Sequence, residues 1–186
     1  MSDIYVYMRE PAVNVLGPGV RYVLWVQGCH RRCPGCVAKN SYNMEEGTRI
    51  SAGALAMEIA LSKAEGLTIS GGEPFLQAEA LADMIAKIKK LKDMGVIIYT
   101  GYTYEKLQEM PTARRLLEMT DLLIDGEYIA ELDDGKSLRG SSNQRVIPLT
   151  NRYKQQLSEY GAEGRSGETF AHGWEVHKVG IPSKEE

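Results

Sequence analysis

The chain has 186 residues, of which 43% are apolar and 25% are charged, and its formal net charge is -3 at pH 7. This composition is typical of a globular domain with its own core, and the weak negative charge argues against strong non-specific binding to nucleic acid or to anionic membranes. No apolar run approaches the roughly 20 residues that span a bilayer, and the polar N-terminus has no signal-peptide pattern, so we expect a cytoplasmic protein with no nucleic-acid or membrane partner.

Strand and helix patterns alternate along residues 1–150. Runs of β-branched and aromatic residues predict the strands, and apolar residues at helical spacing predict the helices. In chain order, the predicted elements are a strand at Arg21–Val26, a helix at Ser51–Ala64 with Ser51 as its N-cap, a strand at Leu67–Ser70, a helix at Ala78–Met94 that Gly95 stops, a strand at Val96–Tyr99, a helical stretch at Arg114–Glu118, a strand at Asp121–Ile124 and a strand at Arg145–Leu149.

This alternation predicts an α/β fold with a mostly parallel sheet and right-handed crossovers. Too few units are present for a closed eight-stranded barrel, so we expect an open partial (βα) barrel. The loops that contain the cysteines, the paired glycines and a Thr-Gly pair all follow strands. They are therefore expected together at the carboxyl edge of the sheet, where such folds bind ligands.

The pattern also divides the chain into two regions. Residues 1–150 carry the alternating elements and form the predicted domain. From about Asn151 onward the chain is rich in Gly, Glu and Lys, and its periodicity is weak. Residues 151–186 are therefore predicted to form a loosely attached tail.

The three cysteines of the chain lie within eight residues and are spaced Cys29-x3-Cys33-x2-Cys36. An odd number of thiols at such short spacing is a poor disulfide framework and indicates metal binding. Thiolates suit both iron–sulfur clusters and zinc. In a cubane cluster, three thiolates would leave one of the four irons open to a small chelating molecule. The alternative is a zinc site in which a histidine joins the cysteines, the candidates being His30, His172 and His177.

Two other loops carry residues that suit contact with a ligand. Gly71-Gly72-Glu73 lies between a strand and a helix, and paired glycines let backbone N–H and C=O groups approach a ligand closely. Glu73 adds a carboxylate that is suited to a ligand ammonium group. Thr100-Gly101 follows the next strand. Taken alone, each loop is most often an ordinary turn, and its weight comes from its position at the same edge as the cysteines.

The motifs occur in a definite order along the chain. They are Gly17-Pro18-Gly19-Val20-Arg21, Gly28-Cys29 through Cys33-Pro34-Gly35-Cys36, Ser70-Gly71-Gly72-Glu73-Pro74, Thr100-Gly101-Tyr102, Leu123-Ile124-Asp125-Gly126 and Arg139-Gly140-Ser141-Ser142-Asn143-Gln144. In this order they resemble the radical S-adenosylmethionine superfamily, and in detail its short members that activate anaerobic (class III) ribonucleotide reductase. The resemblance runs from about Asn14 to Val146. One departure is Val37, because the family commonly has an aromatic residue just after the third cysteine.

The resemblance implies a radical S-adenosylmethionine domain with a 4Fe–4S cluster on Cys29, Cys33 and Cys36. The amino and carboxylate groups of S-adenosylmethionine would then bind the fourth iron. By the same analogy, the cofactor-binding residues are Gly35 and Val37 near the adenine, Gly71, Gly72 and Glu73 at the methionine amino group, and Thr100 near the ribose or methionine. No catalytic acid or base of the protein is implied, because the cluster and the cofactor carry the bond breaking.

The implied activity is reductive cleavage of S-adenosylmethionine, followed by formation of a glycyl radical on anaerobic ribonucleotide reductase. The implied partners are that reductase and a low-potential electron donor such as flavodoxin or ferredoxin. Other readings stay open. The target is alternatively another glycyl-radical enzyme or a small molecule, and the chain is alternatively a zinc-binding module or a simple electron carrier.

Other polar residues allow two readings each. Arg139–Gln144 is expected either to contact the reductase or to cap a sheet edge. Asp125 is expected either to orient the target glycine or to form an ordinary turn, and we favour the turn. Arg31 and Arg32 are expected to be solvated beside the cysteines, with attraction of an acidic electron donor as the alternative.

Overall fold

A computed structural model describes residues 2–136, 138–157 and 164–181 of the chain. Its main feature is a seven-stranded sheet. The strands of this sheet are β1 (Asp3–Val13), β2 (Arg21–Val26), β3 (Thr48–Ser51), β4 (Gly66–Gly71), β5 (Gly95–Tyr99), β6 (Leu122–Asp125) and β7 (Arg145–Pro148). The α-helices are α1 (Ala52–Leu61), α2 (Ala78–Leu91), α3 (Tyr104–Gln108) and α4 (Arg114–Glu118). Two further strands, β8 (Gly167–His172) and β9 (Glu175–Gly180), form a separate hairpin.

The strand order of the sheet is β3-β1-β2-β4-β5-β6-β7. The central strands β2, β4, β5 and β6 are parallel, while β1, β3 and β7 pair antiparallel at the two edges. Strands β2 and β4 stay in register along their whole length, and Val26 lies opposite Gly71 at their carboxyl ends. The loops that follow them therefore leave the sheet at the same edge. These pairings confirm the predicted α/β fold with its central parallel strands.

The larger core lies between the helices and one face of the sheet. Helix α2 buries four apolar side chains at the predicted helical spacing, namely Leu81, Met84, Ile85 and Ile88. Helix α1 begins at Ala52, and the hydroxyl oxygen of Ser51 accepts a hydrogen bond from the Ala54 amide at 3.2 Å. This bond confirms Ser51 as the N-cap. Within the described residues, no helix has the length and apolar character needed to cross a membrane.

Both long helices end three residues before their predicted ends, at 61 rather than 64 and at 91 rather than 94. Their last residues, Leu61 and Leu91, are exposed. The prediction that Gly95 stops α2 is wrong, because Gly95 is the first residue of β5. A Cβ at Gly95 would lie 2.1 Å from the Tyr153 hydroxyl oxygen. Glycine is therefore required here by close packing against the sheet and not by the end of the helix.

Strand β1 and the edge strand β3 are absent from the predicted elements. In β1, buried Ile4 and Val6 alternate with exposed Tyr5 and Tyr7. This is the period of a strand with one face on the core, but charged residues on both sides conceal it.

A buried arginine joins the central strands at the end opposite the predicted site. Arg21 is only 1% exposed. Its Nε donates to the Thr68 hydroxyl at 3.0 Å, and its Nη2 donates to the carbonyl oxygens of Leu67 and Gly95 at 2.6 and 3.1 Å. Its Nη1 donates to the Tyr153 hydroxyl at 2.6 Å. Because Tyr153 belongs to the predicted tail and is buried, the beginning of that tail is fixed to the sheet.

The β8–β9 hairpin packs against the face of the sheet opposite the helices. Its Val179 is 3% exposed and shares a small core with Val13, Leu16, Val23 and Trp25. The described part of the predicted tail is therefore packed on the sheet, which differs from the loose attachment that we expected. Polar residues between the buried ones hide this packing in the sequence. Residues 158–163 and 182–186 of the predicted tail lie outside the described residues.

Replacing Val179 with Ala removes two buried methyl groups, and we expect it to lower the free energy of unfolding by about 2 kcal/mol. Val176 lies on the same strand and is 64% exposed, so Val176→Ala is the matched control. The control should change stability by less than about 0.5 kcal/mol. Urea denaturation followed by circular dichroism measures both effects. Equal effects from the two substitutions would contradict the packing of the hairpin against the sheet.

Candidate metal and cofactor site

The loops that follow β2, β4 and β5 meet at the carboxyl edge of the sheet and line one cavity of about 370 Å³. Every residue that was predicted to hold metal or cofactor lines this cavity, namely Cys29, Cys33, Gly35, Cys36, Val37, Gly71, Gly72, Glu73 and Thr100. The structure thus brings the predicted residues together. Their individual roles stay predictions.

The cysteine loop, residues 29–36, turns tightly enough to present three thiols to the cavity. All three thiols are free and partly exposed. The Cys29 amide donates to the Tyr42 carbonyl oxygen at 3.1 Å, which fixes the start of the loop. The Cys36 amide donates to the Cys33 carbonyl oxygen at 3.2 Å and closes the turn. Gly35, inside this turn, has a φ of 73°, in the left-handed region that favours glycine.

The Cys29 and Cys33 thiols lie in surroundings that favour the protonated form. Burial raises the pKa of the Cys29 thiol. Burial, together with the neighbouring Glu127 carboxylate, raises the pKa of Cys33 to about 11. The Cys33 Sγ lies 3.5 Å from Glu127 Oε1. Binding of metal by these thiols therefore has to release protons, as is general for thiolate ligands.

The zinc alternative requires a histidine beside the cysteines. His30 is exposed, and His177 lies on β9 with its Nε2 3.6 Å from Glu175 Oε2. The side chain of His172 lies outside the described residues. In the part of the chain that the structure describes, no group of three or more His, Cys, Asp or Glu side chains is placed to hold one single metal ion such as zinc.

The paired glycines let two loops approach backbone to backbone. A Cβ at Gly72 would lie 2.2 Å from the Gly28 carbonyl oxygen, and a Cβ at Gly71 would lie 2.5 Å from the Val26 amide nitrogen. The amides of Gly72 and Glu73 donate to the carbonyl oxygens of Val26 and Gly28, both at 2.8 Å. The glycine pair therefore locks the β4 loop onto the loop that carries the cysteines.

Glu73 joins the β4 loop to the β5 loop from a buried position. It is 2% exposed, and burial raises its pKa. Its Oε1 accepts hydrogen bonds from the Thr100 hydroxyl at 2.8 Å and from the Phe75 amide at 3.1 Å, and its Oε2 accepts one from the Gly101 amide at 2.9 Å. The carboxylate thus holds Thr100 in the cavity wall in addition to any contact with a ligand.

Arg31 is not the solvated residue that the sequence predicts. Its guanidinium carbon lies 4.4 Å from the centre of the Tyr102 ring, and its Nη1 lies 3.7 Å from Glu127 Oε2. A Cβ at Gly101 would lie 2.3 Å from the Arg31 Cδ, so the glycine makes room for this stacking. Arg31 lines the cavity. Arg32, by contrast, is exposed as expected.

The segment after β6 supplies a further wall of the cavity, although its sequence gave no cofactor-binding prediction. Its lining residues are Gly126, Tyr128, Asp133, Gly140 and Gln144. The Gln144 side chain accepts a hydrogen bond from the Gly140 amide at 2.8 Å and donates one to the Gly126 carbonyl oxygen at 2.7 Å. These bonds close the segment into a loop. The last residue of the Arg139–Gln144 motif therefore organises the cavity wall.

Asp125, at the end of β6, has both carboxylate oxygens engaged within the protein. It is 1% exposed. Its Oδ2 accepts a hydrogen bond from the Tyr104 amide at 2.7 Å, and its Oδ1 accepts one from the Arg145 Nε at 2.9 Å. These contacts support the structural reading of this residue over a role in orienting a target.

Comparisons with known proteins agree with the geometry. Residues 15–147 match the family described as a 4Fe-4S single cluster domain. The anaerobic ribonucleoside-triphosphate reductase-activating protein of Enterobacteria phage T4 is 32% identical over 147 residues, which cover 76% of this chain and 92% of the relative. The protein of the same name from Vibrio cholerae is 34% identical over 149 residues, with coverages of 75% and 95%.

A more distant match extends the comparison to a second kind of activating enzyme. The pyruvate formate-lyase-activating enzyme of Clostridium pasteurianum is 34% identical over 126 residues, which cover 64% of this chain and 50% of that enzyme. The phage and Vibrio proteins are both matched over nearly their whole length and carry the same name, which is the one that the order of motifs predicted. The chain therefore belongs to the family of anaerobic ribonucleoside-triphosphate reductase-activating proteins, and it carries the 4Fe–4S cluster domain of that family.

Proposed function

We propose that the protein is a radical S-adenosylmethionine enzyme that generates a glycyl radical on an anaerobic ribonucleoside-triphosphate reductase. The observation that carries this proposal is the shared cavity, which is lined by the three cysteines, the Gly71-Gly72 pair and Thr100. The names of the relatives support the reductase as the target. Their match over most of this chain makes the same reaction the best-supported activity.

The residues of the cavity fit a cluster with one open corner. The whole sequence has three cysteines, and all three line the cavity. Thiolates are the usual ligands of 4Fe–4S clusters, and three of them leave one iron without a cysteine. We assign Cys29, Cys33 and Cys36 as the cluster ligands.

The same cavity fits the organic cofactor. Its volume of about 370 Å³ lies within the range of about 300–1,000 Å³ that is usual for small-molecule sites. We assign the methionine end to Gly71, Gly72, Glu73 and Thr100, and the adenine end to Gly35 and Val37. Backbone carbonyl oxygens at the glycine pair suit the amino group of the ligand, while the Gly72 and Glu73 amides already donate to the Val26 and Gly28 carbonyl oxygens.

When bound, the cluster and S-adenosylmethionine supply reductive cleavage of a sulfonium and a 5′-deoxyadenosyl radical that removes hydrogen from a glycine. The role of the protein itself is to position the ligand. Glu73 fixes the β4 and β5 loops relative to each other, so the residues assigned to the methionine end of the ligand are held in one geometry. No side chain is required as an acid or a base.

We propose an open partial barrel formed by residues 1–150, with the later residues added to it. The four parallel strands and their loops at one edge support this arrangement. An open side suits the target, because a segment of another protein has to reach the cavity.

A low-potential electron donor such as flavodoxin or ferredoxin is the second proposed partner. The basic residues Arg32 and Lys39 lie near the cysteines in the sequence and are both exposed, which supports the proposal of an acidic donor protein. Opposite charges increase the rate at which two such proteins meet.

Replacing Cys33 with Ala should abolish formation of 5′-deoxyadenosine, because the cluster loses one of its three thiolates. The measurement is chromatography of the products after anaerobic reconstitution, addition of S-adenosylmethionine and reduction, together with iron analysis. Met57→Ala, which removes an exposed sulfur side chain on α1, is the control and should retain full product formation. Retained activity in Cys33→Ala would mean that the thiols are not the cluster site.

The target is tested by mixing the reconstituted, reduced protein with an anaerobic ribonucleoside-triphosphate reductase and, separately, with pyruvate formate-lyase. Electron paramagnetic resonance should detect a glycyl radical on the reductase. A radical on the lyase alone would favour the second candidate function, to which the match with the Clostridium enzyme points. Absence of a radical on both proteins, despite formation of 5′-deoxyadenosine, would favour a small-molecule target. If the protein binds zinc in place of iron, the alternative hypothesis of a zinc-binding module would be favoured.

A further inference from the structure

The C-terminal residues 164–181 reach the proposed cofactor cavity although they lie outside the matched region 15–147. Ile181 lines the cavity directly. Arg165 lies behind the cavity wall, and its side chain is only 2% exposed. A nearly buried guanidinium has to be compensated by partners within the protein, so its contacts indicate what it holds in place.

The contacts of Arg165 all fall on one segment of the cavity wall. Its Nη2 forms an ion pair with the Asp133 carboxylate. Its Nη1 donates to the carbonyl oxygens of Arg139 and Gly140 at 3.2 and 3.1 Å. Its backbone amide donates to the Gly135 carbonyl oxygen at 3.1 Å. The residue thus ties the middle of this segment, at Asp133 and Gly135, to its end at Arg139 and Gly140.

Two of these contacts also support Tyr128, which lines the cavity. The Tyr128 hydroxyl donates to Asp133 Oδ2 at 3.3 Å. A Cβ at Gly140 would lie 2.9 Å from the Tyr128 Cδ2, and one at Gly35 would lie 3.6 Å from its Cε1. The ring is therefore held between the cysteine loop and Gly140, with its hydroxyl fixed by Asp133.

We propose that Arg165 is a positioning residue that fixes Tyr128 in the cavity wall, and that Tyr128 contacts the nucleoside part of S-adenosylmethionine. This inference rests on the proposed function. An aromatic ring next to Gly35 provides a flat apolar surface for a purine. Arg165 acts only through Asp133 and Gly140, which support that ring.

Loss of Arg165 has two physical consequences. The Asp133 carboxylate, whose side chain is 10% exposed, loses its cation, and such a partner is costly to remove. The carbonyl oxygens of Arg139 and Gly140 lose a charged donor at the same time. The segment from Tyr128 to Gly140 should then become mobile, and the ring should no longer be held for a ligand.

The test compares Arg165→Ala, Tyr128→Ala and the double variant. We expect each single substitution to weaken the affinity of the cluster-loaded protein for S-adenosylmethionine about tenfold, and the double variant to be no weaker than that, because both act through one ring. Isothermal titration under anaerobic conditions measures the affinity, and iron analysis checks the cluster. Arg115→Ala removes an exposed arginine that pairs with Asp83, and it should leave the affinity unchanged.

A second readout needs no cofactor. Hydrogen exchange of the iron-free protein should be faster over residues 128–140 in Arg165→Ala than in the unaltered chain, and Arg115→Ala should show no such change. This readout separates the inference from the proposed function. Failure of the unaltered, iron-loaded protein to bind S-adenosylmethionine would refute the proposed function, while the exchange rates would still test the positioning.

Two results would overturn the inference. One is unchanged affinity in Arg165→Ala, and the other is a double variant that is about a hundredfold weaker, which would mean that the two residues act independently. If Arg165→Ala takes up no iron, the affinity of Arg165→Lys is the deciding measurement. Lysine keeps the positive charge but cannot form the several hydrogen bonds of the guanidinium group. Weakened binding with full iron content in Arg165→Lys would support the inference. Affinity equal to that of the unaltered protein would refute it.

Discussion

The close backbone approach between the β4 loop and the cysteine-bearing loop is the constraint on which the site depends. Gly71 and Gly72 leave no room for a side chain against Val26 and Gly28, and two amide hydrogen bonds hold the loops together. Glu73 then extends the connection to the β5 loop through its buried carboxylate. Because these loops start from parallel strands in register, the arrangement of the sheet sets the position of the candidate site residues on these loops. The site is therefore a property of the sheet edge as a whole.

Sequence patterns predict the centre of the fold, and the candidate site residues that they predict line one cavity. The strand at Arg21–Val26 has the same bounds in the structure, and Ser51 caps the following helix as predicted. Such features depend on local patterns, namely β-branched runs, helical spacing and capping chemistry. The order of glycine and cysteine motifs placed the loops at one edge because parallel strands share their carboxyl ends. The cavity then brought the predicted residues together without exception.

The features that the sequence analysis missed have weak local patterns or depend on contacts between distant residues. Strand β1 is recognisable only from the alternation of Ile4 and Val6 with exposed tyrosines, and the β8–β9 hairpin only from Val179. Arg31 is predicted to be solvated and Arg165 has no predicted role, yet Arg31 stacks on an aromatic ring and Arg165 is buried in an ion pair. No local rule assigns partners to a charged side chain, because the partners come from segments far away in the chain. The packing of Tyr153 and Val179, in the described part of the predicted tail, escapes local patterns for the same reason.

The open corner of the cluster is tested most directly by Mössbauer spectroscopy of protein that has been reconstituted with iron-57 under anaerobic conditions. Spectra are recorded before and after addition of S-adenosylmethionine. If Cys29, Cys33 and Cys36 hold three irons and leave the fourth to the cofactor, one of the four irons should change its signal on addition while the other three stay constant. Two results would contradict this arrangement. One is four equivalent irons whose signals do not change when S-adenosylmethionine is added, and the other is a preparation that binds no iron.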